Sequence, residues 1–483
     1  MNKRLLTTVP ALTLATLITA CSGFKSVDKA PQQAQLNLPE RFNLIAGAHT
    51  EQPVAAWWGQ LQDETLKQLV GDALARNHDI RIAQASLTEA RSLLRNSQLG
   101  RLPTVEARVA GQRAKTSADL LEPNAETISE TFQAGFDASW ELDLFGRVHN
   151  QVRLSQAQLA AREADLRAAH VSVAAEVAAT YINLRGQQYL LQVAEDNARI
   201  QGESLALTKR FAEVGRGDEL DSARAEAQLE LTRAAIPSLQ ARIDLSINRL
   251  AVLSGVAPET LRVRLATPQP LPSLPTTLAV GDPVSLLQRR PDIQAAEQAL
   301  KGAVAEYNVR VADLYPRISL DGSLGYLSTD WSRLGEESSE TFVFAPTIRW
   351  AAFNLSRVQA QINAADARAQ AQARLAQFEQ SVQRALEETD NALQNFNREE
   401  ERRATLQQAA RASSQAARFA RQKFEIGSGD FYSVLDAERS QLDINAQLAQ
   451  SETQLLLNLI AIYKALGGGW ETHAGNAQLS LSF

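Results

Sequence analysis

The sequence predicts a mainly α-helical chain whose β-structure is built to cross a membrane, and which is assembled from two similar halves. Three observations carry this: a long internal repeat, helical stretches too long for a globule, and two pairs of alternating segments. Glu213-Val214-Gly215-Arg216-Gly217-Asp218 recurs as Glu425-Ile426-Gly427-Ser428-Gly429-Asp430, in register through Ala225-Glu226 and Ala437-Glu438. Upstream, Asp79-Ile80 answers Asp292-Ile293 and Pro103 answers Pro316. A repeat this long is a whole structural unit.

The chain opens on a basic start (Lys3, Arg4) and an apolar run from Leu5 to Ala20, a secretory leader over residues 1–20. Leu17-Ile18-Thr19-Ala20-Cys21 resembles a bacterial lipobox, in which the cysteine takes diacylglycerol as a thioether. Cys21 is the only cysteine, so it has no disulfide partner in the chain. Ser22 stands where Asp would favour the inner membrane, so the lipobox resemblance implies the outer membrane. Residues 21–61, with Trp57-Trp58, form an N-terminal arm. A net charge of −6 gives no support to nucleic-acid binding.

The first repeat, 62–255, is expected to open on a helix over 62–102. Residues 104–111 then alternate, Val105, Ala107 and Val109 against Thr104, Glu106 and Arg108; residues 131–142 set Phe132, Ala134, Phe136 and Trp140 against Gln133, Asp137 and Glu141. The second repeat, 284–466, begins with a helix over 284–315 and repeats the device over 317–327 and 341–350, where Phe342, Phe344 and Trp350 share the apolar parity. Strands of about ten residues with aromatics on one face and charge on the other suit a tilted membrane crossing. No run of 18 apolar residues follows the leader, so any crossing is by strands. Four strands are too few to enclose a pore, so several chains must share one barrel.

Arg147–Val214 has no proline and Ala351–Ile426 has neither glycine nor proline. Helices of that size reach about 100 Å. Segments 218–254 and 430–466 return alongside them, making two hairpins. At the reversals Gly215 and Gly427 suit a left-handed helix end, Gly217 and Gly429 complete the turn, and Asp218 and Asp430 cap the next helix. Neither copy has the Gly-Lys-Ser/Thr of a phosphate loop. A proline-rich connector, 256–283, joins the halves, and 467–483 is a tail.

Taken together, the lipobox, Trp57-Trp58, Leu102-Pro103 and Tyr315-Pro316, Glu141-Leu142-Asp143-Leu144-Phe145-Gly146-Arg147, Arg290-Pro291-Asp292-Ile293 and Tyr463-Lys464-Ala465-Leu466-Gly467-Gly468-Gly469-Trp470 resemble the TolC-type outer-membrane efflux factors, above all their OprM-like lipoprotein branch. That resemblance implies a homotrimer with a 12-stranded barrel and an α-helical periplasmic tunnel. It also implies an exit duct for small molecules such as antibiotics, a periplasmic adaptor (membrane fusion protein) docked on the tips, and an inner-membrane pump of the RND type. No cofactor is implied beyond the lipid on Cys21. The periplasmic gate falls on Asp436 and Arg439, with Asp430 and Phe424 beside them; Phe424 stands where the family often has Tyr. Arg224 occupies the position matching Asp436 in the first half. Phe132, Phe136, Trp140, Phe342, Phe344 and Trp350 would form the belt facing lipid.

Two other classes compete. A non-pore helical-hairpin adaptor lipoprotein would need one central hairpin flanked by soluble β-domains. An enzyme would need a reactive cluster, whereas the five histidines are scattered without a His-Glu-x-x-His pattern.

Overall fold

The computed structural model describes residues 55–471 apart from 118, 120–125, 276, 355, 358–359 and 361–366, together with Phe42 and residues 48–49. The leader, Cys21, most of the arm and the tail beyond 471 lie outside the described residues. In chain order the elements are β1 (Ala48–His49), a 3-10 turn (Trp57–Leu61), α1 (Glu64–Arg76), α2 (His78–Leu99), β2 (Thr104–Lys115), β3 (Ile128–Leu142), α3 (Arg147–Glu213), α4 (Glu219–Ser254), α5 (Pro258–Leu265), β4 (Leu278–Ala279), α6 (Pro283–Arg289), α7 (Pro291–Ala312), β5 (Arg317–Ser328), β6 (Glu340–Arg349), α8 (Ala367–Glu425) and α9 (Phe431–Ala465).

The long helices form as expected, α3 over 67 residues and α8 over 59. Pro237 is accommodated inside α4. Each helix expected to precede the strands is instead broken in two, at Asn77 in the first half and at Pro291 in the second. Proline holds Arg290 in extended backbone (φ −68, ψ 117). Asn77 breaks its helix by capping the next, its Oδ1 accepting from the Asp79 N–H at 2.8 Å. Both break residues then close the end of a returning helix: Asn77 Nδ2 donates to the Leu253 carbonyl at 2.9 Å, and Arg290 Nη1 to the Ala465 carbonyl at 2.9 Å.

Contacts divide the chain into two compact units that cut across the repeat, because each half supplies strands to one and hairpin to the other. The first contains residues 87–162 and 296–379; the second contains 37–86, 163–295 and 380 onward. In the first unit the two expected strand pairs are one antiparallel sheet, ordered β2-β3-β5-β6. The joint is β3 against β5, where Gly135 faces Gly325. A Cβ on Gly325 would lie 2.4 Å from the Ala134 carbonyl oxygen, so only glycine allows this approach.

In the second unit Trp57 stacks on Tyr463 with centroids 5.0 Å apart, and the Tyr463 hydroxyl donates to Gln60 at 2.5 Å. Arg185, 1% exposed, donates to the Tyr181 hydroxyl, to Gln188 and to the Thr267 carbonyl of the connector. Tyr181 donates in turn to Asp63 at 2.7 Å. Burial pushes the Tyr181 and Tyr463 hydroxyls up to about 12. Gly469, with φ +114, lies where a Cβ would come 3.2 Å from the Trp58 ring, which accounts for the glycine run before Trp470.

Candidate functional site: the membrane sheet and the hairpin tips

Strand register places like with like. Ala107, Phe136, Leu324 and Phe342 are direct neighbours across all four strands, as are Val105, Ala138, Gly322 and Phe344. Phe342 and Phe344 are 78% and 72% exposed, and Phe136, Leu324 and Ile348 share that face. An exposed apolar sheet face of this extent is a surface for lipid or protein, not water. On the opposite face Glu106, Asp137 and Asp321 line a shallow cavity of about 410 Å³ with Ser139 and Ser323. Asp321 accepts from Ser139 at 2.7 Å and from Ser319 at 2.8 Å. Polar and apolar parities therefore divide as the sequence predicts.

Of the predicted belt, Trp140 and Trp350 sit at one edge, each donating its indole N–H at 3.0 Å to a backbone carbonyl, Arg101 and Leu314. Towards the other edge Phe132 meets Trp331 edge-on at 5.6 Å. Two aromatic rims with an apolar band between them are the pattern of an outer-membrane strand set. The motif from Glu141 to Arg147 turns strand into helix. Arg147 grips Glu141 through two bonds of 2.8 and 2.5 Å, and Asp143 accepts the Val148 and His149 N–H groups.

Both hairpin tips have one local geometry. At the first, Gly215 has φ +68, the Arg216 N–H reaches the Phe211 carbonyl at 2.8 Å and the Gly215 N–H reaches Ala212 at 3.0 Å; at the second, Gly427 has φ +74, with Ser428 to Lys423 at 2.9 Å and Gly427 to Phe424 at 3.0 Å. These are paired 6→1 and 5→2 closures of a helix end. Gly217 and Gly429 pass close to the helix they leave, where a Cβ would meet Phe211 at 3.0 Å and Lys423 at 3.1 Å. Asp218 accepts from the Leu220 N–H and Asp430 from the Ser433 N–H. The Ser433 backbone and hydroxyl bonds hold the Asp430 carboxyl below its usual range.

The two tips meet through aromatic rings. Phe424 packs on Phe211 at 5.3 Å and on Phe431 at 5.4 Å, so where the family resemblance suggests a hydroxyl this chain has an apolar contact. Asp436 and Arg439 are both exposed on α9, and no ion pair within the chain joins either among the described residues. Arg224, matching Asp436, is instead held in the chain, 3.8 Å from Asp221 and over the Tyr432 ring. Burial and the charges of Asp218 and Asp430 raise the Asp221 carboxyl, despite Arg224.

One cluster is not among the expected gate residues. Glu438, 8% exposed, accepts from Arg421 at 2.9 Å and from the Ser204 hydroxyl at 3.0 Å. Arg421 also donates to Ser204 at 2.7 Å and to the Ile200 carbonyl at 3.2 Å, and lies 3.6 Å from Glu203. The cluster thus ties α8 and α9 of one hairpin to α3 of the other. Its signal in the sequence is a carboxylate on an apolar seam, since Phe431, Val434 and Glu438 follow helical spacing.

Comparison with known proteins agrees with this architecture. The model of the outer membrane efflux protein family matches residues 69–256 and 283–468. Outer membrane protein OprJ of Pseudomonas aeruginosa is 29% identical over 468 residues, covering 96% of each chain. Cation efflux system protein CusC of Escherichia coli is 30% identical over 448 residues, 91% of this chain and 95% of that one. The solved structure of the outer-membrane channel OprN superposes with a TM-score of 0.85 at 38% identity, over 92% of this chain and 98% of its own. The non-pore adaptor alternative finds no support, for its architecture has neither this sheet nor a second hairpin. The chain belongs to the outer membrane efflux protein family, and is an outer-membrane efflux channel with a periplasmic helical tunnel and a shared β-barrel.

Proposed function

We propose that this channel is the passive exit duct of a tripartite pump, receiving small-molecule cargo from an inner-membrane transporter through a periplasmic adaptor docked on the tips at Gly215–Asp218 and Gly427–Asp430. The relatives support an efflux role: CusC is a cation efflux system protein, and OprJ is an outer membrane protein. The observation that carries the reading is the single sheet of four strands with an exposed apolar face and a polar reverse. Such a sheet is stable in lipid only when copies close it into a barrel, with Glu106, Asp137 and Asp321 turned to the aqueous bore.

At the tips, Asp436 and Arg439 stand exposed and, among the described residues, free of ion partners in their own chain, so in a trimer they form rings or pair across subunits at the narrow end. Charged rings at close quarters obstruct and select. Opening is a shift of population toward splayed hairpins, favoured by whatever partner binds that form better. Cys21 carries diacylglycerol and anchors the arm. The test has two parts. Asp436→Ala with Arg439→Ala raises single-channel conductance of the purified trimer in planar bilayers, and unchanged conductance removes this gate. Drug accumulation in a deletion strain is restored by the wild type and only partly by Cys21→Ala; no restoration by the wild type removes the efflux role.

A further inference from the structure

Apart from the tips, the second unit holds a cavity of about 940 Å³ enclosed by α3, α8, α9 and the connector. That is room for a drug-sized molecule. Leu455 and Leu456, both buried, form one apolar wall, and the connector over residues 268–275, half of it proline, forms another. Proline fixes its own backbone torsion, so this wall is set before any ligand arrives and little order has to be created on binding. Tyr189 of α3 adds an aromatic ring that is 40% exposed.

The charges of this cavity are left apart. On α8 the run Arg398-Glu399-Glu400-Glu401-Arg402-Arg403 offers three ion pairs at a spacing of i,i+3, and two of them form: Arg398 with Glu401 at 3.0 Å and Arg402 with Glu399 at 3.2 Å. The third does not. Glu400 and Arg403 both line the cavity, and among the described residues neither has an ion pair with the other or with any third group. Arg403 Nε is buried with no acceptor among the described residues. Glu452 of α9 is a second carboxylate in the wall without an ion pair. It stands within electrostatic reach of Tyr189, whose hydroxyl is raised by burial and then by the Glu452 charge.

Partly buried charges without partners carry a desolvation cost that groups of opposite sign recover. Two carboxylates call for a cation and the guanidinium for an anion. Residues one turn apart on a helix have Cβ atoms about 5–6 Å from each other, so one small head must carry both signs. We propose that the cavity binds an amphoteric small molecule, with an ammonium and a carboxylate close together on a flat apolar body, as in an aromatic or arylated amino acid. The ammonium has three donors and meets Glu400 and Glu452, while the carboxylate accepts from the fork of Arg403. Tyr189, the prolines and the leucines cover the body. A plain cation would leave Arg403 unmatched, and a plain anion would face two carboxylates. Binding here involves none of the gate residues and does not depend on conduction.

Three dansyl probes with one fluorophore and different charges test this by fluorescence titration of the full-length trimer in nanodiscs, with empty nanodiscs as the baseline. The ε-dansyl derivative of lysine carries both charges, dansylcadaverine only the ammonium and dansylglycine only the carboxylate. The amphoteric probe should bind about tenfold more tightly than either of the others, the worth of one further charge-assisted contact. Arg403→Gln should lower it to the level of dansylcadaverine without weakening dansylcadaverine itself, and Glu400→Gln should lower it to that of dansylglycine. Glu401→Gln, which removes the neighbouring carboxylate paired with Arg398, should bind all three as the wild type does. Equal binding of the three probes by the wild type would show apolar partition alone and overturn the proposal, as would no binding. An equal loss for every probe in both variants, or a loss in Glu401→Gln, also overturns it. Displacement of the amphoteric probe by glycerophosphoethanolamine would assign the cavity to a lipid headgroup instead.

Discussion

Removing Arg421 should open the channel. In this arrangement its guanidinium is, among the described residues, the one cation bonded to buried Glu438, and it reaches across to Ser204, Ile200 and Glu203 of the other hairpin. Arg421→Ala deletes those links and strands a carboxylate that is 8% exposed, with only the Ser204 hydroxyl left to it. Breaking a fully buried pair from one side costs about 3–5 kcal/mol. The Arg421 side chain is 28% exposed and water repays part of that, so about 2 kcal/mol is the reasonable loss to the closed form. Splayed hairpins let Glu438 rehydrate, so the loss falls on the closed state alone, and about 2 kcal/mol multiplies the open-to-closed ratio about thirtyfold. Single-channel recordings of reconstituted trimers read that ratio from dwell times. Arg421→Lys keeps the charge with fewer bonds and should fall between, at about fivefold for about 1 kcal/mol. Raising the salt should narrow the gap between wild type and variant, since the pair is only partly shielded. Wild-type dwell times in an intact Arg421→Ala trimer would refute the lock.

Other positions make independent tests. Gly427→Ala forces a left-handed alanine at the second tip and should cost about 1 kcal/mol in thermal unfolding, whereas Gly71→Ala, in mid-helix with open space around it, should gain about 0.5–1 kcal/mol. Gly325→Ala would drive a Cβ into the β3 backbone and should abolish the heat-modifiable trimer on gels, leaving monomer. Tyr181 and Tyr463, raised from 10.0 to about 12, keep their protons in the folded state after unfolded tyrosine has lost them. Their contribution is therefore complete below pH 10 and is lost as the pH climbs toward about 12, at about 1.4 kcal/mol per pH unit for each. Tyr181→Phe should flatten that alkaline decline in chemical denaturation by one tyrosine's share.

Much of this was legible because the residues concerned answer to local rules. Strand alternation is a period of two that no long-range contact alters, so Phe136 and Asp137 fall on opposite faces in sequence and structure alike. Tip geometry is also local, for Gly215 and Gly427 need only their own backbone and one N–H to define the turn. The helix break at Asn77 escapes those rules, whereas the break at Pro291 obeys one, proline holding Arg290 in extended backbone beneath an unbroken helical periodicity. Helical periodicity runs through both sites, and what stops the helix at Asn77 is a side chain that caps its neighbour and bonds to Leu253, a partner 176 residues away. Glu438 was hidden likewise, since its partners Ser204 and Arg421 come from two other helices. A seam position filled by charge marks such a site without naming its partner.

The asymmetry between the hairpins follows from these placements. Near the tips the seam is polar, with Gln201, Ser204, Thr208 and Glu438 all buried, and both amide atoms of Gln201 lack a partner among the described residues. A buried amide without hydrogen bonds costs about 1–3 kcal/mol, which penalises the closed form and is relieved by water on opening. Further along the same unit the packing is of another kind, with Trp57 stacked on Tyr463 and Leu66, Leu69 and Leu459 buried with them. Nothing there gains from hydration, so parting it would forfeit apolar burial outright. Motion must therefore concentrate at the polar end, where Arg421 and the Phe211–Phe424–Phe431 contacts oppose the rehydration of Gln201 and Glu438. Arg224 pairs with Asp221 of its own hairpin and lies over Tyr432 of the second, while among the described residues no ion pair within the chain holds its counterpart Asp436. A partner that offers α9 an alternative to the Arg421 bonds has the smaller barrier to overcome, and needs to displace one hairpin rather than two.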